Sequence, residues 1–172
     1  MRTRWRTICL AGLLGVGIVW YLFRPELLFI DRVVSEAFPG TSNRTSPVPD
    51  DSTARSSATV LARGMFHSVA HSTTGTATIH RLENGERVLR LTDFATSNGP
   101  DVRVILVAAS DASDSDTVTG ADVIELGPMK GNKGDQNYDL PDNVDLKRFR
   151  AVTVWCHRFS VNFGTAPLMR AS

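Results

Sequence analysis

The sequence predicts an all-β fold, an antiparallel β-sandwich or barrel-like domain preceded by an N-terminal transmembrane helix, a short juxtamembrane helix and a linker. Past residue 59, short apolar runs and alternations recur, turn residues separate them, and no segment shows a long helical period. Several short strands at this spacing favour a sandwich or barrel over an alternating α/β fold.

The start of the chain has the pattern of a membrane anchor. Three arginines among the first six residues precede an uncharged apolar stretch over residues 8–23. As a helix this stretch would span roughly 24 Å, a little less than the hydrocarbon core of a bilayer. The arginine excess predicts a single-pass protein with a cytoplasmic N-terminus and an extracytoplasmic C-terminal domain. A cleaved secretory signal is the alternative, although no small-x-small site follows the apolar stretch.

Two segments separate the anchor, residues 1–24, from the globular part. Residues 25–39 carry apolar side chains at mixed spacings of three and four, which predicts a short juxtamembrane helix, with a packed stalk as the alternative. Residues 40–58 are rich in Ser, Thr, Pro, Asp and Arg, and this composition is typical of a flexible linker. Residues 59–172 are enough for one core of ordinary size, which predicts a single β domain.

Six apolar runs within this domain are the strand candidates. They cover residues 62–70, 75–82, 88–94, 102–108, 123–126 and 151–163. Residues that accept or fix unusual backbone angles lie between them, among them Asn84-Gly85 and Asn98-Gly99-Pro100-Asp101. The pattern therefore predicts strands joined by short turns.

Charge and motif spacing argue against several classes of function. The formal net charge is +1 and basic residues are not clustered beyond the N-terminus, so we expect no nucleic-acid partner. The glycine-rich stretch 126–134 contains Lys130 and Lys133, but its spacing does not match a phosphate-binding loop and indicates a structural loop. The aspartates within residues 111–122 lack the ligand spacing of a calcium loop.

Cys156 is the main candidate for chemistry, because the other cysteine, Cys9, lies inside the apolar N-terminal stretch. We therefore expect no disulfide between the two. If residues 151–163 form one regular strand, alternation places the aromatic residues in the core and Cys156 at a half-polar edge near Arg158. A nearby guanidinium would favour the thiolate. The alternative is a buried cysteine that only fills space.

A metal site at Cys156 would need histidines from elsewhere in the chain. His157 points to the opposite face of a regular strand, and His67 and His71 would lie about 13 Å apart along a strand. Only a fold that brings His67 or His71 to Cys156 would produce a nitrogen and sulfur site suited to copper or haem iron. A haem or copper cofactor and the absence of any cofactor therefore both stay open, and no spacing identifies a hydrolytic active site.

Seven short motifs occur in order between about residues 61 and 169. They are Gly64-Met65-Phe66-His67, Gly75-Thr76-Ala77, Leu89-Arg90-Leu91-Thr92-Asp93-Phe94, Asn98-Gly99-Pro100-Asp101-Val102, Leu126-Gly127-Pro128-Met129-Lys130-Gly131-Asn132, Gln136-Asn137-Tyr138-Asp139-Leu140-Pro141 and Val154-Trp155-Cys156-His157-Arg158-Phe159-Ser160-Val161. As a set they resemble the DM-thirteen domain, an electron-transfer domain found beside DOMON modules. The anchor followed by residues 24–30 resembles the layout of bacterial membrane-anchored members.

The resemblance implies a β-sandwich-like domain outside the membrane, with a redox or electron-transfer role and Cys156 as its working residue. Met129 departs from the leucine that is usual there. Because the chain carries no DOMON or cytochrome domain, a redox partner would be a separate protein. We therefore predict a membrane-anchored redox domain centred on Cys156. The alternative is a non-catalytic cell-envelope binding or scaffold module with a structural cysteine.

Overall fold

Eleven short strands and one short helix make up the described part of the folded domain. The computed structural model describes residues 30–39 and 58–171, together with Gly12 and Gly15. The strands are β1 (Val33–Ser35), β2 (Thr59–Met65), β3 (His67–Ser68), β4 (Thr74–Arg81), β5 (Arg87–Ala95), β6 (Val102–Val107), β7 (Val123–Pro128), β8 (Lys133–Leu140), β9 (Ala151–Cys156), β10 (Val161–Pro167) and β11 (Met169–Arg170). The helix, α1 (Ser115–Gly120), lies between β6 and β7.

The strands form two sheets. Sheet one has the order β1-β8-β5-β4-β2-β11, and sheet two has the order β3-β10-β9-β6-β7. Neighbouring strands are antiparallel except for β1, which is parallel to β8 at the edge of sheet one. The prediction of an all-β, antiparallel-rich fold is therefore confirmed.

The core lies between the two sheets. Apolar side chains from both contribute to one buried cluster, with Leu89 and Leu91 on β5 and Val152, Val154 and Cys156 on β9. Because successive strand residues point to opposite faces, the even-numbered residues of β9 face sheet one. Burying this apolar surface is the main force that holds the sheets together.

The outer face of sheet two is covered as well. The alternate residues of β6 and β9 pack with α1 and the preceding loop in a second buried cluster, which contains Ile105, Val107, Ala112, Val118, Ala151 and Trp155. The Asp114 side chain accepts a hydrogen bond of 2.6 Å from the Thr117 N–H and so caps the helix. Every residue of β9 is consequently buried.

Two predictions about local structure are wrong. Residues 30–39 of the predicted juxtamembrane helix run as extended chain with strand β1, because the edge of β8 offers backbone partners. The predicted strand over 151–163 is two strands, β9 and β10, joined by a turn at residues 157–160. Residues 25–29 and the linker up to residue 57 lie outside the described residues.

The predicted anchor over residues 1–24 also lies outside the described residues, apart from Gly12 and Gly15, which are helical. Within the described part of the chain, no helix has the length and hydropathy that a bilayer crossing requires.

Candidate functional site

Cys156 is the last residue of β9 and lies completely inside the core. Its exposed fraction is 0%, and it shares the inter-sheet cluster with Val154 and Phe163. It pairs in register with Val102 of β6 on one side and Val161 of β10 on the other. The predicted position at a half-polar edge is therefore wrong, because the even-numbered face of β9 is the inter-sheet face.

The turn that follows Cys156 is exposed. Residues 157–160 connect β9 to β10, and the Phe159 side chain at the tip is 64% exposed. Ser160 has a φ of +51°, a left-handed conformation that costs a non-glycine residue about 1 kcal/mol. The thiol is thus sealed in the core but lies next to a strained, solvent-facing turn.

A charged cluster lies beside this turn. The Arg103 guanidinium bonds to Asp101 at 2.9 Å and to Glu125 at 2.6 Å, and the His157 ring lies 3.5 Å from the Asp101 carboxylate. The backbone N–H of His157 also donates to the backbone carbonyl of Asp101 at 2.8 Å. The Arg103 hydrogen bond keeps the pKa of Asp101 below its usual range. This end of sheet two therefore presents fixed charges next to the exposed turn that carries Phe159.

His67 faces an acidic partner, with its Nε2 atom 2.9 Å from Asp111 Oδ1. The hydrogen bond to Asp111 raises the pKa of His67, although partial burial opposes this. His67 pairs in register with Thr165, which pairs with Thr153 of β9, three residues from Cys156. At about 3.4 Å per residue, this offset amounts to roughly 10 Å along the strand.

His71 lies across β10 from β9. Its backbone N–H donates to the Phe163 carbonyl at 3.1 Å. Its ring packs on the Phe163 ring, with the centroids 3.9 Å apart. The described residues contain no group of three or more His, Cys, Asp and Glu side chains arranged to hold a metal ion. Within the described residues, the structure therefore does not bring Cys156, His67 and His71 together as one set of three ligands. A metal site at these residues stays a prediction.

A buried polar network lies on the outer face of sheet two, away from the inter-sheet core, and the sequence did not predict it. Asn162 and Thr165 are fully buried, and each bonds to the Ala112 carbonyl, at 2.8 and 2.9 Å. Thr165 also lies 3.0 Å from the hydroxyl of Thr153. With the bond from His67 to Asp111, these contacts hold the loop before α1 over the sheet. The only signal for this network in the sequence was the presence of two polar residues, Asn162 and Thr165, in the otherwise apolar strand β10.

A second feature that the sequence did not reveal is a basic depression beside β11, an edge strand of sheet one. Its volume is about 520 Å³, and Leu168 and the exposed Met169 form its apolar part. Lys147, Arg150 and Arg170 line the rest, so an anionic partner would be favoured here.

A comparison with known protein families gives a match. The family model for the electron transfer DM13 domain matches residues 65–168, which include β3 to β10 and both the thiol and the turn after it. No curated protein and no solved structure matches the chain.

Proposed function

Because the chain belongs to the electron transfer DM13 family, we propose that its β domain acts in electron transfer outside the membrane, through Cys156. In this proposal the apolar residues 8–23 anchor the protein in the membrane, and the domain is extracytoplasmic. The thiol is shielded in the resting domain and becomes reactive when the turn 157–160 opens.

One observation carries the proposal, namely that a fully buried thiol occupies the last position of a core strand. Cys156 has 0% exposure, yet the next four residues are an exposed turn. Strand ends beside exposed turns open locally at lower free energy than strand centres. The positive φ of Ser160 adds to this tendency. Opening of a few residues would therefore expose the sulfur without unfolding the domain.

The chemistry available to the exposed sulfur depends on what a partner brings. A lone thiol can exchange with a disulfide of a separate redox protein, in which case one S–S bond breaks as another forms and the partner's thiolate leaves. It can alternatively complete the ligand set of a haem or copper centre. The Phe159 ring and the charges of Asp101 and Arg103 offer a surface for such a partner.

The second candidate function is a non-catalytic cell-envelope binding or scaffold module. It is favoured by the burial of Cys156 among Val154, Phe163 and other core residues, since free cysteine commonly serves as a small hydrophobic residue. In that case the basic depression lined by Lys147, Arg150 and Arg170 would be the partner surface.

Thiol alkylation separates the two functions. The full chain is purified in detergent with Cys9→Ser, so that Cys156 is the single thiol, and its alkylation rate is compared with the rate of global unfolding. We expect alkylation to run at least tenfold faster than global unfolding, because only the turn has to open. Metal analysis and a visible spectrum of the same sample test for a bound centre.

Val154 supplies the matched control, because it is also fully buried, faces the same core and lies two residues further into β9. In a chain with Cys9→Ser, Cys156→Ala and Val154→Cys, the introduced thiol should react only as fast as the domain unfolds. Equal rates for the two positions, in a sample without metal or a visible band, would favour the structural cysteine and the binding module.

A further inference from the structure

The glycine-rich loop before β8 receives the chain's own segment 31–38. A Cβ atom on Gly131 would lie 2.4 Å from the Arg32 carbonyl oxygen, and one on Gly134 would lie 2.1 Å from the Val34 carbonyl oxygen. Gly134 also has a φ of +96°, which side chains rarely adopt. These two glycines therefore form the floor of a groove that only an extended backbone can enter.

Backbone pairing holds the segment in register. Val34 lies opposite Gly134, and Ser35 lies opposite Asp135, in the parallel pairing of β1 with β8. The Glu36 N–H donates to the Asp135 carbonyl at 3.0 Å. An edge strand added in this way is the usual means by which a sheet binds an extended peptide.

Two carboxylates of the segment bind to matched groups on the loop and β8. The Glu36 carboxylate accepts from Lys130 Nζ at 2.8 and 3.0 Å and from the Asn137 N–H at 2.7 Å. Burial opposes the charge on Glu36, but these bonds outweigh it and lower the pKa of the carboxyl group. Asp31 accepts from the Asn132 amide at 2.7 Å and also pairs with Lys133.

The loop and β5 also bind the backbone and the end of the segment. Asn132 Oδ1 accepts from the Arg32 N–H at 2.7 Å, and Arg90 donates to the Glu36 carbonyl at 3.1 Å. The Phe38 ring lies edge-on to the His80 ring, with the centroids 4.9 Å apart. Specific contacts therefore run along the whole of residues 31–38.

We infer that the edge of β8 and the glycine loop form a binding groove for an extended segment with two carboxylates, and that docking of residues 31–38 in it shortens the membrane tether of the domain. The tether role rests on the proposed anchor at residues 8–23. The docked segment lies outside residues 65–168, which match the family model. Docking of this segment is therefore a property of this chain that family membership does not assign.

Chain length gives the physical consequence. Seven residues separate residue 23 from Asp31, and 35 separate it from Thr59. Whatever their conformation, these stretches can reach at most about 28 Å and about 125 Å. When residues 31–38 are docked, the chain between residue 23 and the domain can therefore reach at most about 28 Å instead of about 125 Å. The domain would then act on redox partners bound at the same membrane surface, because a short tether raises their effective concentration.

The test uses the full chain in lipid nanodiscs and two measurements. Trypsin cleavage after Arg32, followed by mass spectrometry, reports release of the segment. Energy transfer from a dye on Asn143→Cys to labelled lipid headgroups, in a chain with Cys9→Ser and Cys156→Ala, reports the distance to the membrane. Gly134→Ala should raise the cleavage rate at least tenfold and lower the energy transfer.

Arg81→Ala is the control for Lys130→Ala, because Arg81 is exposed at the end of β4 and forms no ion pair with the described residues, whereas Lys130 pairs with Glu36. Lys130→Ala should raise cleavage about threefold even if Gly134→Ala fails to fold, whereas Arg81→Ala should change neither measurement. Unchanged cleavage in both groove variants would overturn the inference. Faster cleavage with unchanged energy transfer would overturn the tether role.

Two further results would also be decisive. Protection of Arg32 that rises with protein concentration, in a dimeric sample, would mean that a second copy fills the groove and would overturn docking within one chain. Energy transfer near zero in every variant, with the cleavage differences intact, would overturn the membrane anchor and the tether while the groove itself is upheld.

Discussion

Cys156 and Val161 form the last register pair of the β9–β10 hairpin, so the buried thiol and the exposed turn meet at a single position. This relationship makes the thiol sensitive both to core packing and to opening of the turn. Loss of packing and loss of the proposed redox function at Cys156 therefore have to be measured separately.

The first prediction concerns stability at Cys156. Cys156→Ser should lower the free energy of unfolding by about 1–3 kcal/mol, because the hydroxyl is buried among apolar side chains without a hydrogen-bond partner. Denaturant unfolding of the full chain in detergent measures the change. Cys156→Ala removes the sulfur without adding a polar group and should cost less. A serine variant as stable as wild type would mean that the site is hydrated.

The second prediction concerns the amide of Gln136, which is fully buried and braces the glycine loop. Its Oε1 accepts from the N–H groups of Lys130 and Gly131, both at 3.2 Å, and its Nε2 donates to the Gly131 carbonyl at 2.7 Å. Gln136→Leu should cost about 2–4 kcal/mol, because the Gly131 N–H and carbonyl lose their partner in a buried site, whereas the Lys130 N–H keeps its bond of 3.2 Å to the Tyr138 hydroxyl. Thermal unfolding measures the loss.

Asn143→Leu is the control for that substitution, because Asn143 is an exposed amide. It should change stability by no more than about 0.5 kcal/mol. If the two leucine variants lose equal stability, the amide of Gln136 does not brace the loop.

The third prediction concerns the titration of His67. Its pair with Asp111 should give it a pKa above the ordinary value of 6.5, measured by NMR, and Asp111→Asn should return it towards that value. Because the folded pKa is raised, the contribution of the pair is present below pH 6.5 and is lost as the pH rises through the folded pKa. The groups are about 40% exposed, so this contribution is about 0.5 kcal/mol or less. A pKa in the variant equal to that of wild type would rule out the pair in solution.

Alternation of apolar residues predicted most of the sandwich, and the failures have identifiable causes. The turn after Cys156 was missed because residues 157–160 contain no glycine or proline and Phe159 continues the apolar alternation. Strand β8 was missed because a buried position is filled by Gln136 in place of an apolar residue. Periodicity reports burial of apolar groups, so it fails where a polar side chain is buried or an aromatic ring is exposed.

The candidate site was less predictable than the fold. Cys156 was identified as the residue of interest, but its burial was not, because both faces of β9 are covered and alternation cannot then assign an inner face. Strand β1 depends on partners about 100 positions away, such as Asn132 for Arg32 and Lys130 for Glu36. A window of neighbouring residues contains no information about such pairs.

The fourth prediction is that acid releases residues 31–38 before the domain unfolds. The pKa of Asp31 is lowered by its bonds to Lys133 and Asn132, and that of Glu36 is lowered although burial opposes it. A lowered pKa means that docking is stabilised above the ordinary carboxyl values, near 4, and that this contribution is lost as the pH falls through the lowered values.

Hydrogen exchange of residues 33–36, corrected for the intrinsic rate at each pH, measures the release. Protection should fall at least tenfold between pH 6 and pH 3, while the amides of β9 in the core stay protected. Glu36→Gln removes one of the two titrating groups but keeps an oxygen that Lys130 and the Asn137 N–H can bond. This variant should therefore show weaker protection at pH 6 and a smaller change on acidification. If protection in wild type is constant down to pH 3, the carboxylates do not hold the segment, and backbone pairing with β8 alone accounts for its docking.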